Sequence, residues 1–210
     1  VKLEMGDDPH LREIFDEVVT RDCYELRGLK ERGLDVRRAV DIGASFGPAT
    51  ALIAELWPDA TIAAYEPDME RFALLALNRP KRCVCWPGAI VPLDKEHVGC
   101  DGGPWRRSPA DAWDMLSKMN CYRSLVAGEG GPFAMHVDLL KIDNEGFEWG
   151  IVEDLARDMA LPTVIVGEWH FANALGGLGA ALAATHDLAF KKPGPEPWGP
   201  FLAVRRGALP

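Results

Sequence analysis

The sequence predicts an α/β fold built on a mostly parallel sheet with helices on both faces. Two observations carry this prediction. Short apolar runs alternate with helix-length segments through short links, and the first such run ends in a glycine loop that opens the next helix. At 210 residues, 48 % hydrophobic and 26 % charged, the chain suits one domain that buries roughly 70 % of its extended surface. Such a core needs no disulfide or metal staple.

The elements follow in order. Asp8-Pro9 opens a first helix whose Leu11, Ile14, Phe15, Val18 and Val19 share one face. A second helix over 24–32 stops at Gly33. Residues 1–36 are expected to form a helical cover over an edge or mouth of the core, and residues 37–210 the α/β domain. A strand over 38–42 runs into the loop 43–47 and an alanine-rich helix ending near Glu55. The unit repeats as a strand over 60–65, a helix over 69–77 and a third strand over 82–86. From 92 to 109 the pattern gives way to glycine, proline and polar residues. With a helix over 110–119, this excursion at 92–119 reads as a lid or substrate loop. Regularity returns in a strand over 135–142, a helix over 147–160, a strand over 161–167 and a helix over 172–185. Paired strands over 186–191 and 201–204 close the pattern, joined by the proline-rich stretch 192–199.

The formal charge of -9 repels a phosphate backbone, so no nucleic-acid partner is expected. No apolar stretch reaches the roughly 20 residues that span a bilayer, and the N-terminal segment lacks a signal-peptide core. A cytoplasmic protein without membrane contact is expected. The cysteines, 5 in number, suit a reducing compartment. Cys83-x-Cys85 in a strand points both thiols to one side, yet no second pair closes a zinc site. Buried free thiols are the expectation there.

The exit of the first strand is the sharpest chemical signal. Gly43 and Gly47 let backbone approach a ligand, and the following helix offers unpaired N–H groups. Ala44 and Ser45 stand where a dinucleotide fingerprint would place its central glycine, which disfavours NAD. Glu66, at the end of the second strand, suits a ribose diol, while Asp41 can organise the loop or meet an amino-acid ammonium through water. The ligand these positions suggest is a nucleoside with a charged amino-acid tail. Helix capping by the same carboxylates is the ordinary alternative.

Three runs, Asp41-Ile42-Gly43-Ala44-Ser45-Phe46-Gly47, Tyr65-Glu66-Pro67-Asp68 with Asn78, and Leu139-Leu140-Lys141-Ile142-Asp143-Asn144-Glu145-Gly146-Phe147-Glu148, together resemble the FkbM-type branch of class I S-adenosylmethionine-dependent methyltransferases. The resemblance covers 40–168 in order and rests mainly on the third run. It implies a Rossmann-like, seven-stranded methyltransferase sheet with an antiparallel last strand, S-adenosylmethionine across the strand ends, and methyl transfer to a hydroxyl of a small-molecule or sugar-containing acceptor. It further implies that Gly43, Ala44, Ser45 and Gly47 touch the methionine portion and that Glu66 holds the ribose. Pro67, Asp68 and Ala89 would border the adenine. Asn144 departs from the small apolar residue common at its position.

On the acceptor side, Lys141 and Asp143 project to the same face of their strand and can pair or share a ligand. An ion-pair network fixing the turn is the structural alternative for Lys141 and Glu148. Glu168 and His170 follow the fifth strand toward the mouth that Asp143 occupies, and His170 is the favoured general base, with loop hydrogen bonding as its alternative. Asp143, Glu168 and His170, with Glu145, offer donor types suited to a divalent metal, although metal-free chemistry is favoured. The competing functions are N-methylation, a non-catalytic nucleoside-binding protein of the same fold and, more remotely, a dehydrogenase. The oligomeric state is not legible from sequence.

Overall fold

Continuous apolar runs are the mark of strands covered on both faces, and β1 (Arg38–Ile42), β4 (Leu139–Ile142) and β5 (Val164–His170) are buried along nearly their whole length. The computed structural model describes residues 1–90, 92, 136–170, 172–190 and 198–209. With β2 (Thr61–Glu66), β3 (Cys83–Pro87), β6 (His186–Phe190) and β7 (Trp198–Arg205), these strands form one 7-stranded sheet in the order β3-β2-β1-β4-β5-β7-β6. The β3, β2, β1, β4 and β5 neighbours pair in parallel, whereas β7 runs antiparallel to both β5 and β6. The order reverses between β1 and β4, which places a crevice at their carboxyl ends.

The helices are α1 (Pro9–Phe15), a π-helical turn (Asp16–Thr20), α2 (Leu26–Glu31), α3 (Pro48–Leu56), α4 (Met69–Asn78), α5 (Glu148–Arg157) and α6 (Ala172–Leu182). One core layer joins Leu26, Leu29, Leu52, Ile53 and Leu75 to one sheet face. On the other face Ile151, Val152, Leu155, Leu178 and Leu182 pack against Val40, Ile142 and Ile165. Local chemistry sets the helix starts. Asp8 accepts the His10 N–H at 2.9 Å before α1, and Asp68 accepts those of Glu70 and Arg71 before α4. Pro48 supplies a preset φ at the start of α3.

Several boundaries differ from the sequence pattern, among them the strand expected over 135–142, which begins at Leu139, and the one expected over 201–204, which spans Trp198–Arg205. The first helix continues beyond Phe15 as a π-helical turn that buries Val18 and Val19. The second begins at Leu26 rather than Tyr24, because the Asp22 carboxylate accepts the N–H groups of Leu26 and Arg27, each at 2.9 Å. β5 starts at Val164, past Pro162 with its missing N–H, and extends to His170 because β7 pairs with it as far as His170↔Trp198. Glu168 and His170 are therefore strand residues on one face, with Trp169 buried on the other. Apart from residue 92, the predicted lid at 92–119 lies outside the described residues, as do 192–197 of the proline-rich connection.

Helix α6 lies close on α5. A Cβ at Gly177 would fall 2.2 Å from the Trp149 Nε1, whereas one at Gly176 would meet nothing within 4 Å. Helix propensity favours alanine at both positions by about 1 kcal/mol, but overpacking costs about 1–3 kcal/mol. Gly176→Ala should therefore raise the urea midpoint and Gly177→Ala lower it. Equal shifts would refute the close packing.

Candidate active site

The carboxyl ends of β1 and β4 meet through backbone. A Cβ on Gly43 would lie 1.8 Å from the Asp143 carbonyl oxygen, so only glycine, here at φ 73°, fits that contact. Gly43 and Ala44 donate their N–H groups to the Tyr65 carbonyl at 3.0 and 2.9 Å. Ser45 takes a left-handed conformation, φ 51°, that its side chain disfavours. Its N–H donates to Glu66 Oε2 at 2.7 Å, and its Oγ is buried without a partner among the described residues. Glu66 is itself buried, and Oε1 accepts the Asp68 N–H at 2.8 Å. Burial pushes this carboxyl up from its ordinary value, opposed by the N–H groups of Asp68 and Ser45. Each Glu66 oxygen thus holds one backbone donor and retains further acceptor capacity.

The predicted donor-side residues fall in three places. Gly43, Ala44, Ser45 and Glu66 converge at the strand tips, with Gly47 (φ 101°) ending the loop. Asp68 caps α4, Pro67 is exposed, and Ala89 is buried beyond β3. Asp41 lies beneath the loop rather than on its surface. It is fully buried, accepts the Thr50 hydroxyl at 2.6 Å, and has Oδ1 3.3 Å from the Lys141 ammonium.

Lys141 is a buried cation. Its Nζ donates to the carbonyls of Gly43 at 2.6 Å and Ile42 at 3.3 Å, and lies 3.9 Å from Asp143 Oδ2. Burial pulls this ammonium toward deprotonation, but Asp41 and Asp143 outweigh it and raise its pKa. The Tyr24 hydroxyl donates to the same Asp143 Oδ2 at 3.0 Å. Burial, then the Asp143 charge, pushes the Tyr24 phenol up, so it remains a donor. The Lys141 ammonium also lies 5.8 Å from the Tyr24 ring centroid.

Glu148, fully buried at the start of α5, accepts the N–H groups of Asn144 at 3.0 Å and Gly146 at 3.1 Å, together with His170 Nδ1 at 2.9 Å. A carboxylate only accepts, so Nδ1 carries a hydrogen. His170 Nε2 then lies 3.8 Å from Glu145 and 3.9 Å from Glu168. Burial lowers the His170 pKa, but the Glu148 hydrogen bond and charge, with Asp143 and Glu145, outweigh it and lift the imidazole to about 9. Glu168 is pushed up to about 8, first by burial and then by Asp143. Oxygen or nitrogen atoms of Asp143, Glu168 and His170 all lie within 4.8 Å of one another, a set whose donor types can hold a divalent cation.

Sequence reasoning brought Asp143, Glu168 and His170 to one mouth, but it missed Tyr24. That contact joins the N-terminal segment to β4, and the one local signal was Asp22, whose capping of α2 leaves Tyr24 outside the helix. Cys23 adjoins the same cluster, where burial raises its thiol pKa and keeps it protonated.

No protein-family model matches the chain, and no curated protein matches it. Among solved structures it is similar to an rRNA methylase from Streptococcus thermophilus, with TM-score 0.51 and 10 % identity over 96 % of this chain and 99 % of that one. It is similar also to Thermoplasma acidophilum 1320, with TM-score 0.50 and 10 % identity over 97 % and 100 % of the two chains.

These findings correct two expectations. The FkbM-type resemblance is not upheld, since the likeness is to the general Rossmann-like methyltransferase fold. The run from Leu139 to Glu148 misled because its charged residues have local duties: Lys141 fastens the β1 exit and Glu148 gathers the turn N–H groups. The exclusion of nucleic acid also fails, because an rRNA methylase shares this fold and net charge sums over a surface whose local patches govern contact. Among the described residues no helix is long and apolar enough to cross a membrane.

Two expectations follow from the buried charges. Replacing Lys141 by Met strands Asp41 in the core, and urea unfolding should show a loss of about 3–5 kcal/mol. An unchanged midpoint would refute the pairing. Unfolded Glu168 releases its proton near 4.5, whereas the folded chain retains it until about 8, so its contribution to stability falls as pH rises between those values. His170 acts in the same sense between 6.5 and about 9. Melting temperature should decline across both intervals, and Glu168→Gln should flatten the lower one. Wild-type and variant curves of equal slope would rule out the Glu168 assignment.

The chain has the Rossmann-like class I methyltransferase fold, with its switch-point crevice lined here by a glycine loop, the Glu66 carboxylate and an acidic mouth.

Proposed function

We propose that this chain transfers the methyl group of S-adenosylmethionine to a nitrogen of an amine-bearing acceptor. The buried Ser45 hydroxyl, unpartnered among the described residues, and the remaining acceptor capacity of Glu66 support the donor side. In this reading residues 43–47 hold the methionine portion and Glu66 the ribose hydroxyls. Pro67, Asp68 and Ala89 border the base, and Asp41 fixes the loop from below. The cofactor, when bound, supplies an activated methyl on a cationic sulfur.

The anionic character of the mouth carries the choice of acceptor. Asp143, Glu145 and Glu168 converge there, and the described polar neighbour of Glu168 is the His170 ring at 3.9 Å. A basic amine complements that arrangement, donating to Asp143 and Glu168 as it docks. Its nitrogen must lose a proton before attack, and Glu168 is the acceptor in reach. Tyr24 and Lys141 hold Asp143 as a fixed carboxylate, while His170, tied to Glu148, positions Glu168. His170 holds its second proton to about 9 and Glu168 its proton to about 8, so as pH rises Glu168 is the first of the two to offer a free acceptor. The hydroxyl acceptor rested on the narrower family resemblance and loses that ground. Residues 1–36 serve as a cover that contributes Tyr24 to the site.

The test is methyl transfer from labelled S-adenosylmethionine to a panel of amines, alcohols and RNA, beside calorimetric binding of the cofactor. Amine products are expected, with Glu168→Gln lowering kcat by about 10²–10⁴. Glu66→Gln should weaken cofactor binding about tenfold or more through loss of charge-assisted hydrogen bonds. Turnover of alcohols alone would refute the nitrogen acceptor. Saturable cofactor binding without any turnover would favour a non-catalytic nucleoside-binding protein.

A further inference from the structure

Strand β3 forms one edge of the sheet and pairs only with β2 among the described strands. Its alternation sends Val84 and Trp86 outward and turns Cys83 and Cys85 to the opposite face. Cys83 is buried, Cys85 is half-buried, and their sulfurs lie 3.7 Å apart.

That spacing suits a bridge other than a disulfide. Two residues along a strand separate their Cα atoms by about 6.6–6.8 Å, at the far limit of the roughly 4.4–6.8 Å that disulfides span. A disulfide would also have to draw the sulfurs in to about 2.05 Å. By contrast, an ion about 2.3 Å from each sulfur, as in metal–thiolate bonds, fits the observed 3.7 Å with an S–ion–S angle of about 107°. Neither side chain need move.

Ligand number narrows the ion. Among the described residues the one cluster of three or more metal-ligating groups is at the mouth, and none of them adds a third ligand to the two cysteines. Four-coordinate zinc would lack half its donors. Soft thiolates select soft ions, Cu(I) above all, and Cu(I) accepts low coordination.

We propose that Cys83 and Cys85 form a dithiolate site for one Cu(I)-class cation, open on the half-buried Cys85 side to a third ligand such as an exogenous thiol. Binding forms two S–Cu bonds and releases the thiol protons, with no change in oxidation state. This site does not depend on the proposed methyl transfer.

The test uses the full chain with Cys23, Cys100 and Cys121 replaced by serine, titrated anaerobically with Cu(I) against a chromophoric Cu(I) chelator. One Cu(I) per chain is expected, with X-ray absorption showing sulfur neighbours only. Cys85→Ser in that background should abolish the one-to-one complex while circular dichroism stays unchanged. Cys83→Ser should do the same, and the half-buried Cys85 variant decides the matter where the buried substitution impairs folding. Retention of one-to-one binding in Cys85→Ser, or copper held only between two chains in sedimentation, would overturn the proposal.

Discussion

The placement of one ammonium group inside the sheet governs the rest of the site. Lys141 sits on a central strand with no access to bulk water, and its hydrogens are taken by the Ile42 and Gly43 carbonyls beside the Asp41 and Asp143 carboxylates. A buried lysine is tolerable only when it is so surrounded. The surroundings are the exits of β1 and β4, so satisfying the charge fixes the relation of the two loops. Gly43 against the Asp143 carbonyl, Ser45 against Glu66, and Tyr24 against Asp143 extend that fixed geometry outward. Preorganised groups of this kind need little rearrangement when a ligand docks.

The central strands and most helices were legible in the sequence because their causes are local. Two-sided burial writes mostly apolar runs at 39–42 and 139–142, interrupted by Asp41 and Lys141, and Asp8-Pro9 opens its helix directly. The carboxyl ends of β1 and β2 were legible for the same reason, as was the convergence of Asp143 with Glu168 and His170. What escaped has distant causes. β5 continues through Glu168 to His170 only because β7 arrives to pair with it, a contact the run itself does not record. Tyr24 reaches Asp143 across 119 positions of sequence. Lys141 and Glu148 looked like a family signature, yet Lys141 fastens the β1 exit and Glu148 gathers the N–H groups of the turn before α5.

Charge shows the same division between sum and arrangement. The chain's overall excess of acid describes its whole surface, whereas the chemistry turns on a handful of carboxylates inside one crevice. Glu148 is neutralised by backbone donors and a histidine, and Asp143 by a lysine and a phenol. Glu168 faces the edge of the imidazole, and burial followed by the Asp143 charge raises its pKa. The acids are alike in sequence and differ in what surrounds them.

The antiparallel position of β7 has a consequence for synthesis. In chain order β5 precedes both β6 and β7, yet β7 lies between β5 and β6 in the sheet. As the polypeptide emerges from a ribosome, the outer edge of β5 stays open until the later hairpin has formed and inserted. Such long-range pairing is slow relative to local structure, and an open strand edge invites pairing with another chain. The nascent chain is thus most vulnerable to self-association in the interval after β5 and before β7, when the strand bearing Glu168 and His170 has only one neighbour.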